Sequence, residues 1–160
     1  MKKLPIGLSD FKKLIEGSYY YFDKTNFIDE IIKDGSEVKL FTRPRRFGKT
    51  LNMSMLKYFF DIKEAEENRK LFKDLYIEKT ENFKEQGQYP VVFLSLKDLK
   101  ADNWESMVNY LKVLISNLCL ENRYLLENLD SFDKAIFENY INKNILQNAS
   151  YIAVLRRIIY

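Results

Sequence analysis

The chain has 160 residues, a length that suits one domain with a substantial hydrophobic core. Apolar residues make up 46% of the chain and the formal charge is only +3, so composition excludes a disordered tail and does not require a nucleic-acid partner. There is no histidine, which excludes His-based acid–base catalysis and nearly all transition-metal sites and leaves carboxylate-bound Mg²⁺ as the plausible metal.

Hydropathy and cysteine usage bear on where the protein works. No stretch approaches the roughly 20 apolar residues of a membrane span, and the basic start lacks the apolar segment of a signal peptide. The one cysteine, Cys119, lies between Leu118 and Leu120 in a helical pattern, which predicts a buried structural thiol. A lone cysteine also fits a reducing compartment. We therefore expect a cytoplasmic protein without a membrane partner.

The N-terminal elements can be read in chain order. A short helix is predicted over residues 9–15, with Ser9 or Asp10 as its N-cap. Residues 19–22 are aromatic and favour a strand. A second helix, opened by Asp23 and the two residues after it, is predicted to run to about Lys33, and Asp23 is typical of a helix cap.

The next elements carry the main motif. Residues 38–41 predict a short buried strand, and an apolar helix with a narrow polar stripe is predicted from Lys49 to about Phe60. Gly48-Lys49-Thr50 lies at their junction, which is the arrangement of a phosphate-binding loop. Amides at the helix start and the helix dipole favour an anion there. Lys49 would reach the β- and γ-phosphates, and Thr50 would place its hydroxyl on Mg²⁺.

The loop departs from the usual G-x-x-x-x-G-K-[ST] pattern, because Arg43 stands where the first Gly is expected. Pro44 fixes φ and donates no N–H, so the loop is stiffer and has one donor fewer. Arg43, Arg45 and Arg46 would compensate with charge. Two alternatives stay open: a basic turn that happens to contain Gly-Lys-Thr, and a nucleic-acid-binding module that uses these cations on a phosphate backbone.

The second half of the sequence predicts one strand and then helices. Residues 91–96 form a continuous apolar run introduced by Pro90, as in a buried parallel strand. The following helices are capped by Asp102 or Asn103 and by Asp130 or Ser131, and a last helix lies near the C-terminus. Together these elements predict an α/β fold: a three-layer fold like that of phosphate-loop NTPases, with a partial parallel sheet and a helix-rich C-terminal half.

Two segments resemble a known family. "YYYFDKTNFIDEII…KLFTRPRRFGKTLNMSMLKYFFD" and, further along, "YPVVFLSLKDL" are similar to AAA-ATPase-like proteins of bacteria and archaea. The loop of that family reads R-P-R-R-F-G-K-[ST], so the arginine at position 43 is a family trait. Members typically carry a C-terminal nuclease-like domain of the PD-(D/E)XK type, whose residues cannot be assigned in this sequence.

The resemblance implies ATP and Mg²⁺ as cofactors and the 43–50 loop as the site. It implicates nine residues in nucleotide binding, of which Thr50 also contacts the metal: Asp23, Arg43, Arg45, Arg46, Phe47, Gly48, Lys49, Thr50 and Leu51. For Asp23, a position near the base or ribose competes with the simpler role of a helix cap.

A phosphate-loop ATPase also needs an acidic strand end to hold Mg²⁺ and polarise water. Asp98 lies two residues past the 91–96 segment and behind Lys97, so it fits poorly and no catalytic residue is assigned. In the family the acidic strand follows roughly where this sequence stops. We therefore interpret residues 1–160 as an incomplete nucleotide-binding domain, in which the remaining portion or another chain completes the sheet. We expect nucleotide binding with hydrolysis near background, and contact with nucleic acid only through the parent protein.

Overall fold

The computed structural model describes residues 2–97 and 100–141, and the chain divides into two compact units, Met1–Val91 and Val92–Tyr160. Helices dominate both units. The first unit contains α1 (Phe11–Glu16), α2 (Asn26–Lys33), α3 (Lys49–Phe60) and α4 (Ala65–Arg69), and then 3₁₀ helices at Lys70–Phe72, Tyr76–Lys79 and Glu81–Glu85. The second contains α5 (Trp104–Glu121), a 3₁₀ helix at Arg123–Asn128 and α6 (Ser131–Ile141).

The helix ends in the first unit follow the local chemistry of the sequence. Asp10 caps α1, because its carboxylate accepts a hydrogen bond from the Lys13 amide at 2.9 Å. The predicted ends of α2 at Lys33 and of α3 at Lys49 and Phe60 are confirmed. Capping and periodicity are short-range signals, so the sequence alone could locate these ends.

An aromatic core, made of Phe11, Phe59 and Phe72, holds the first unit together. Each of the three side chains is fully buried. The ring centroids of Phe11 and Phe72 are 5.2 Å apart in a stacked arrangement, and Phe59 meets Phe72 edge-on, also at 5.2 Å. Such pairs add about 0.5–1.5 kcal/mol each beyond the burial of their area. The aromatic core therefore fixes the C-terminal half of α3 against α1 and the 3₁₀ helix Lys70–Phe72.

The polar stripe of α3 turns partly inward. Ser54 is buried, and its hydroxyl accepts a hydrogen bond from the Phe11 amide at 3.0 Å. Asp61, directly after the helix, is also buried and accepts from the Lys63 amide at 3.0 Å. Both polar groups are satisfied by backbone donors, so their burial is tolerated. The helix α3 is thus packed among other helices, whereas the sequence pattern had suggested packing against a sheet.

The predicted α/β fold with a partial parallel sheet is wrong for the described residues. In that part of the chain, β pairing is limited to isolated bridges between Lys3 and Tyr19 and between Asp61 and Tyr89. Residues 38–41 and 91–96 form no strand. Val38 and Leu40, expected to be buried, are 76% and 85% exposed. A strand needs a second backbone alongside it to complete its hydrogen bonds, and an apolar run cannot indicate whether that partner exists.

The second unit has its own small core. Buried residues from α5, α6 and the 3₁₀ helix between them pack together: Ile115, Cys119, Leu126, Phe137 and Tyr140. Asn103 caps α5 by accepting from the Ser106 amide at 2.8 Å, and Asp130 accepts from the Asp133 amide at 2.8 Å at the start of α6, so one of each pair of predicted caps is confirmed. Phe132, in the first turn of α6, lies outside this core and is 65% exposed.

Within residues 2–97 and 100–141, no helix combines the length and the apolar character needed to cross a membrane.

Candidate functional site

The 43–50 loop leads into the N-terminal end of α3, as the sequence predicted. Two of its residues, Arg46 and Gly48, adopt left-handed backbone conformations with φ of 68° and 72°. Gly48 is the N-cap of α3, and its carbonyl accepts from the Asn52 amide at 2.9 Å. The amides of a first helical turn have no acceptor within the helix. A bent loop that ends at such a turn makes a concave surface suited to an anion.

Lys49 closes over this loop. Its ammonium group donates a hydrogen bond to the backbone carbonyl of Arg43, six residues earlier. The ammonium is thus directed back across the loop, although the side chain remains exposed. An anion seated in the loop could replace that carbonyl as the acceptor, and an ionised acceptor makes a stronger hydrogen bond than a neutral one.

The loop concentrates positive charge without a compensating acid. Arg43, Arg45 and Arg46 are all exposed, and no carboxylate in the described part of the chain forms an ion pair with any of them. Neighbouring like charges repel each other, and an anionic ligand would relieve that repulsion.

Two cavities flank the loop. The α2-side cavity, of about 500 Å³, is bordered by residues of α2, the loop and α3 and by residues just before α2 and just before the loop: Lys24, Asn26, Phe27, Glu30, Lys39, Phe41, Arg43, Phe47, Lys49, Asn52 and Met53. The N-terminal-side cavity, of about 770 Å³, lies between residues 5–9 and residues 44–51. Phe47 and Lys49 border both cavities, so a ligand on the loop can extend to either side.

Lys24 also lies beside the loop, although the sequence singled out only its neighbour Asp23. Its Nζ atom lies 4.0 Å from the position that a Cβ on Gly48 would occupy, so the ammonium group approaches the loop from α2. Its neighbour Asp23 drew attention as a capping residue, whereas Lys24 had no periodicity or spacing to distinguish it. Only the packing of α2 beside the loop brings this ammonium to the site.

Asp23 is engaged in a clasp that joins the start of α2 to the 3₁₀ helix Tyr76–Lys79. One carboxylate oxygen accepts from the Thr25 amide at 2.8 Å and from its hydroxyl at 2.7 Å. The other accepts from the Tyr76 amide at 2.7 Å. The fully buried Thr25 continues the clasp, since its hydroxyl oxygen accepts from the Ile77 amide at 3.1 Å. Asp23 thus accepts hydrogen bonds from the backbone just before α2 and from the backbone of the distant 3₁₀ helix Tyr76–Lys79.

The remaining predicted positions are distributed around α3. Thr50 is exposed and borders the N-terminal-side cavity together with Leu51. Asp98, the weak candidate for a magnesium ligand, lies outside the described residues. In the part of the chain that is described, no three acidic or cysteine side chains converge as a metal site would require.

Cys119 is the sole thiol, and its environment is that of a core residue. It is 1% exposed within the core of the second unit. Burial raises the pKa of the thiol to about 11, which keeps it protonated near neutral pH. A thiolate is the reactive form, so the predicted structural role of Cys119 is confirmed.

A cationic loop at the N-terminus of a helix makes this protein a candidate member of a broad class, the proteins that bind phosphate-bearing ligands. Comparison with known proteins narrows this class. The chain belongs to the family described as "Predicted AAA-ATPase", whose family model matches residues 5–156. The family resemblance drawn from the sequence is confirmed.

Part of the chain is also similar to a curated protein. A protein of Azotobacter chroococcum mcd 1, described as "Uncharacterized protein in vnfD 5'region", is 50% identical over 60 residues. The match covers 37% of this chain and 11% of the relative, so the chain accounts for a small part of that protein's length. No solved structure matches the chain.

Proposed function

We propose that the protein binds ATP with Mg²⁺ through the 43–50 loop. The observation that carries this proposal is the geometry of the loop: a left-handed Gly48 directly precedes α3, and Lys49 is directed back over the loop. Membership in a family of predicted AAA-ATPases supports ATP as the ligand. The first-turn amides of α3 and the Lys49 ammonium would hold the β- and γ-phosphates.

The distribution of charge supports a polyphosphate over a singly charged anion. Arg43, Arg45, Arg46 and Lys49 lie within seven consecutive positions. A triphosphate carries several negative charges, so it can neutralise more of these cations than a carboxylate can. Mg²⁺ would enter with the triphosphate, and the Thr50 hydroxyl would supply one of its ligands. Bound there, the ion would neutralise part of the phosphate charge.

Substitution of Lys49 tests the proposal. A fluorescent ATP analogue is titrated into the wild type, Lys49→Ala and Lys73→Ala. Lys73 is an exposed lysine outside the loop, so its replacement removes the same charge from elsewhere. We expect Lys49→Ala to weaken binding by at least about tenfold, which corresponds to about 1.4 kcal/mol, and Lys73→Ala to leave it unchanged. Equal affinities for all three proteins would contradict the proposal.

A nucleic-acid-binding module is the competing function, because the exposed arginines could equally contact a phosphate backbone. Competition between ATP and a labelled duplex DNA discriminates the two. Backbone contacts give a salt dependence in which log K falls by about 0.9 per phosphate neutralised. We expect weak DNA binding that ATP displaces. Tight, salt-sensitive DNA binding that ATP does not displace would favour the competing function.

A further inference from the structure

The loop is flanked by cavities on two sides, and the nucleoside half of a bound nucleotide can occupy only one of them. The N-terminal-side cavity is bordered by Ile6 and Leu8 on one wall and by the loop on the other. Ile6 is 89% exposed, so it provides little enclosure. The α2-side cavity combines cationic, aromatic and amide groups, which is the mixture that a nucleotide requires.

The cationic end of the α2-side cavity is next to the loop. Lys24 brings its ammonium close to Gly48, and Arg43 and Lys49 border the same cavity. Lys39 borders it too, but its ammonium already donates to the carbonyls of Asp34 and Ser36 at 2.7 and 2.6 Å. No hydrogen bond or ion pair engages the Lys24 ammonium within the described residues. Lys24 is therefore the cation on the α2 side that is best placed to contact a phosphate.

The far end of the same cavity is aromatic. Phe27 and Phe41 meet edge to face with ring centroids 4.9 Å apart, and Phe41 is 40% exposed. A further cavity of about 410 Å³ continues past this pair along Ile31 and Leu40. An exposed aromatic ring beside a cavity offers a surface on which a base can stack, whatever the identity of the base.

The position of a carboxylate indicates in which direction a nucleotide would lie in this cavity. Glu30 borders it, and one of its oxygens accepts from the Asn26 side-chain amide at 3.3 Å. A carboxylate repels phosphate, so the phosphates would lie at the Lys24 end. Carboxylates accept hydrogen bonds from hydroxyl groups, so Glu30 suits a sugar. Glu30 and the aromatic pair border the 410 Å³ cavity as well, whereas Lys24 does not, so the acid and the rings lie together on the side away from Lys24. That side suits the ribose and the base, and the Lys24 side suits the phosphates.

We propose that the bound nucleotide lies along α2, with Lys24 as a second phosphate-contacting lysine and the exposed face of Phe41 as the platform for its base. The inference rests on the proposed function, since it needs a nucleotide on the loop. It names a subsite that the loop motif itself does not specify, because the Gly-Lys-Thr motif concerns only the phosphates.

Binding of ATP and of inorganic tripolyphosphate, which lacks sugar and base, separates the parts of this proposal. The variants are Lys24→Ala, Phe41→Ala and Ile6→Ala, with Lys49→Ala as the reference for the loop. Calorimetric titration gives each affinity, and thermal unfolding verifies that each variant is folded. Ile6→Ala is the matched control because it trims an exposed apolar side chain from the opposite cavity.

We expect Lys24→Ala to weaken both ligands by about fivefold to tenfold. Phe41→Ala should weaken ATP by about tenfold, because a stacked base is lost, and should leave tripolyphosphate unchanged. Ile6→Ala should change neither. ATP binding that depends on Lys49 but not on Lys24 or Phe41 would overturn this inference alone, as would a selective loss of ATP binding in Ile6→Ala. If Lys49→Ala bound ATP like the wild type, the proposed function would fail and the inference with it.

Discussion

The two ends of α3 differ in burial and in charge. At its C-terminal end Phe59 is fully buried and contacts aromatic rings from elsewhere in the first unit. At its N-terminal end the 43–47 residues are exposed, cationic and bent by a left-handed arginine. One helix thus carries both the stability of the unit and its candidate site. The loop adds charge repulsion and backbone strain without burying apolar area, so it contributes less to the stability of the unit than the aromatic core does.

The largest expected effect is a loss of stability caused by a substitution at the C-terminal end of α3. Phe59→Ala removes a fully buried ring, and we expect the free energy of unfolding to fall by about 3–5 kcal/mol. Urea unfolding followed by circular dichroism measures it. Phe22→Ala is the matched control: Phe22 is 84% exposed, so the same substitution should cost less than about 0.5 kcal/mol.

A similar fall in the free energy of unfolding in both Phe→Ala variants would show that the described core does not carry the stability of the protein. If Phe59→Ala does not fold, Phe59→Leu keeps most of the apolar volume, so a smaller loss remains measurable.

An intermediate effect is expected at the clasp. Asp23→Ala removes the acceptor for the amides of Thr25 and Tyr76, and we expect about 1–3 kcal/mol of destabilisation because the buried Thr25 hydroxyl also loses its acceptor. Glu37→Ala serves as the control, since it removes the same charge from an exposed position. A melting temperature unchanged from that of Glu37→Ala, combined with weaker ATP binding, would instead assign Asp23 to the nucleotide.

The smallest effect is expected within the loop. Arg46 has a φ of 68°, which costs a non-glycine residue about 1 kcal/mol. Arg46→Gly should therefore stabilise the protein slightly, whereas Arg45→Gly, at a position outside the left-handed region, should destabilise it by about 0.5–1 kcal/mol. Both remove one positive charge, so both should weaken ATP binding. Thermal unfolding gives the sign, and equal shifts for the two variants would show that Arg46 is not strained.

Short-range chemistry in the sequence determined the helices and the position of the loop. The Asp10 cap and the start of α3 at Lys49 depend on neighbours within a turn or two, so periodicity and capping were enough. The apolar helical pattern also predicted the burial of Cys119, although the residues that bury it come partly from other elements. Family membership was also readable, because the loop string is long and unusual.

Tertiary structure alone decided which segments pair and what surrounds the loop. The apolar runs at 38–41 and 91–96 predicted strands, but pairing depends on a distant backbone that no local pattern specifies. The approach of Lys24 to Gly48 likewise joins residues that are 24 positions apart. The Asp23 clasp reaches Tyr76 across 53 positions. Such contacts arise from the packing of whole helices, so they become visible only once the chain is folded.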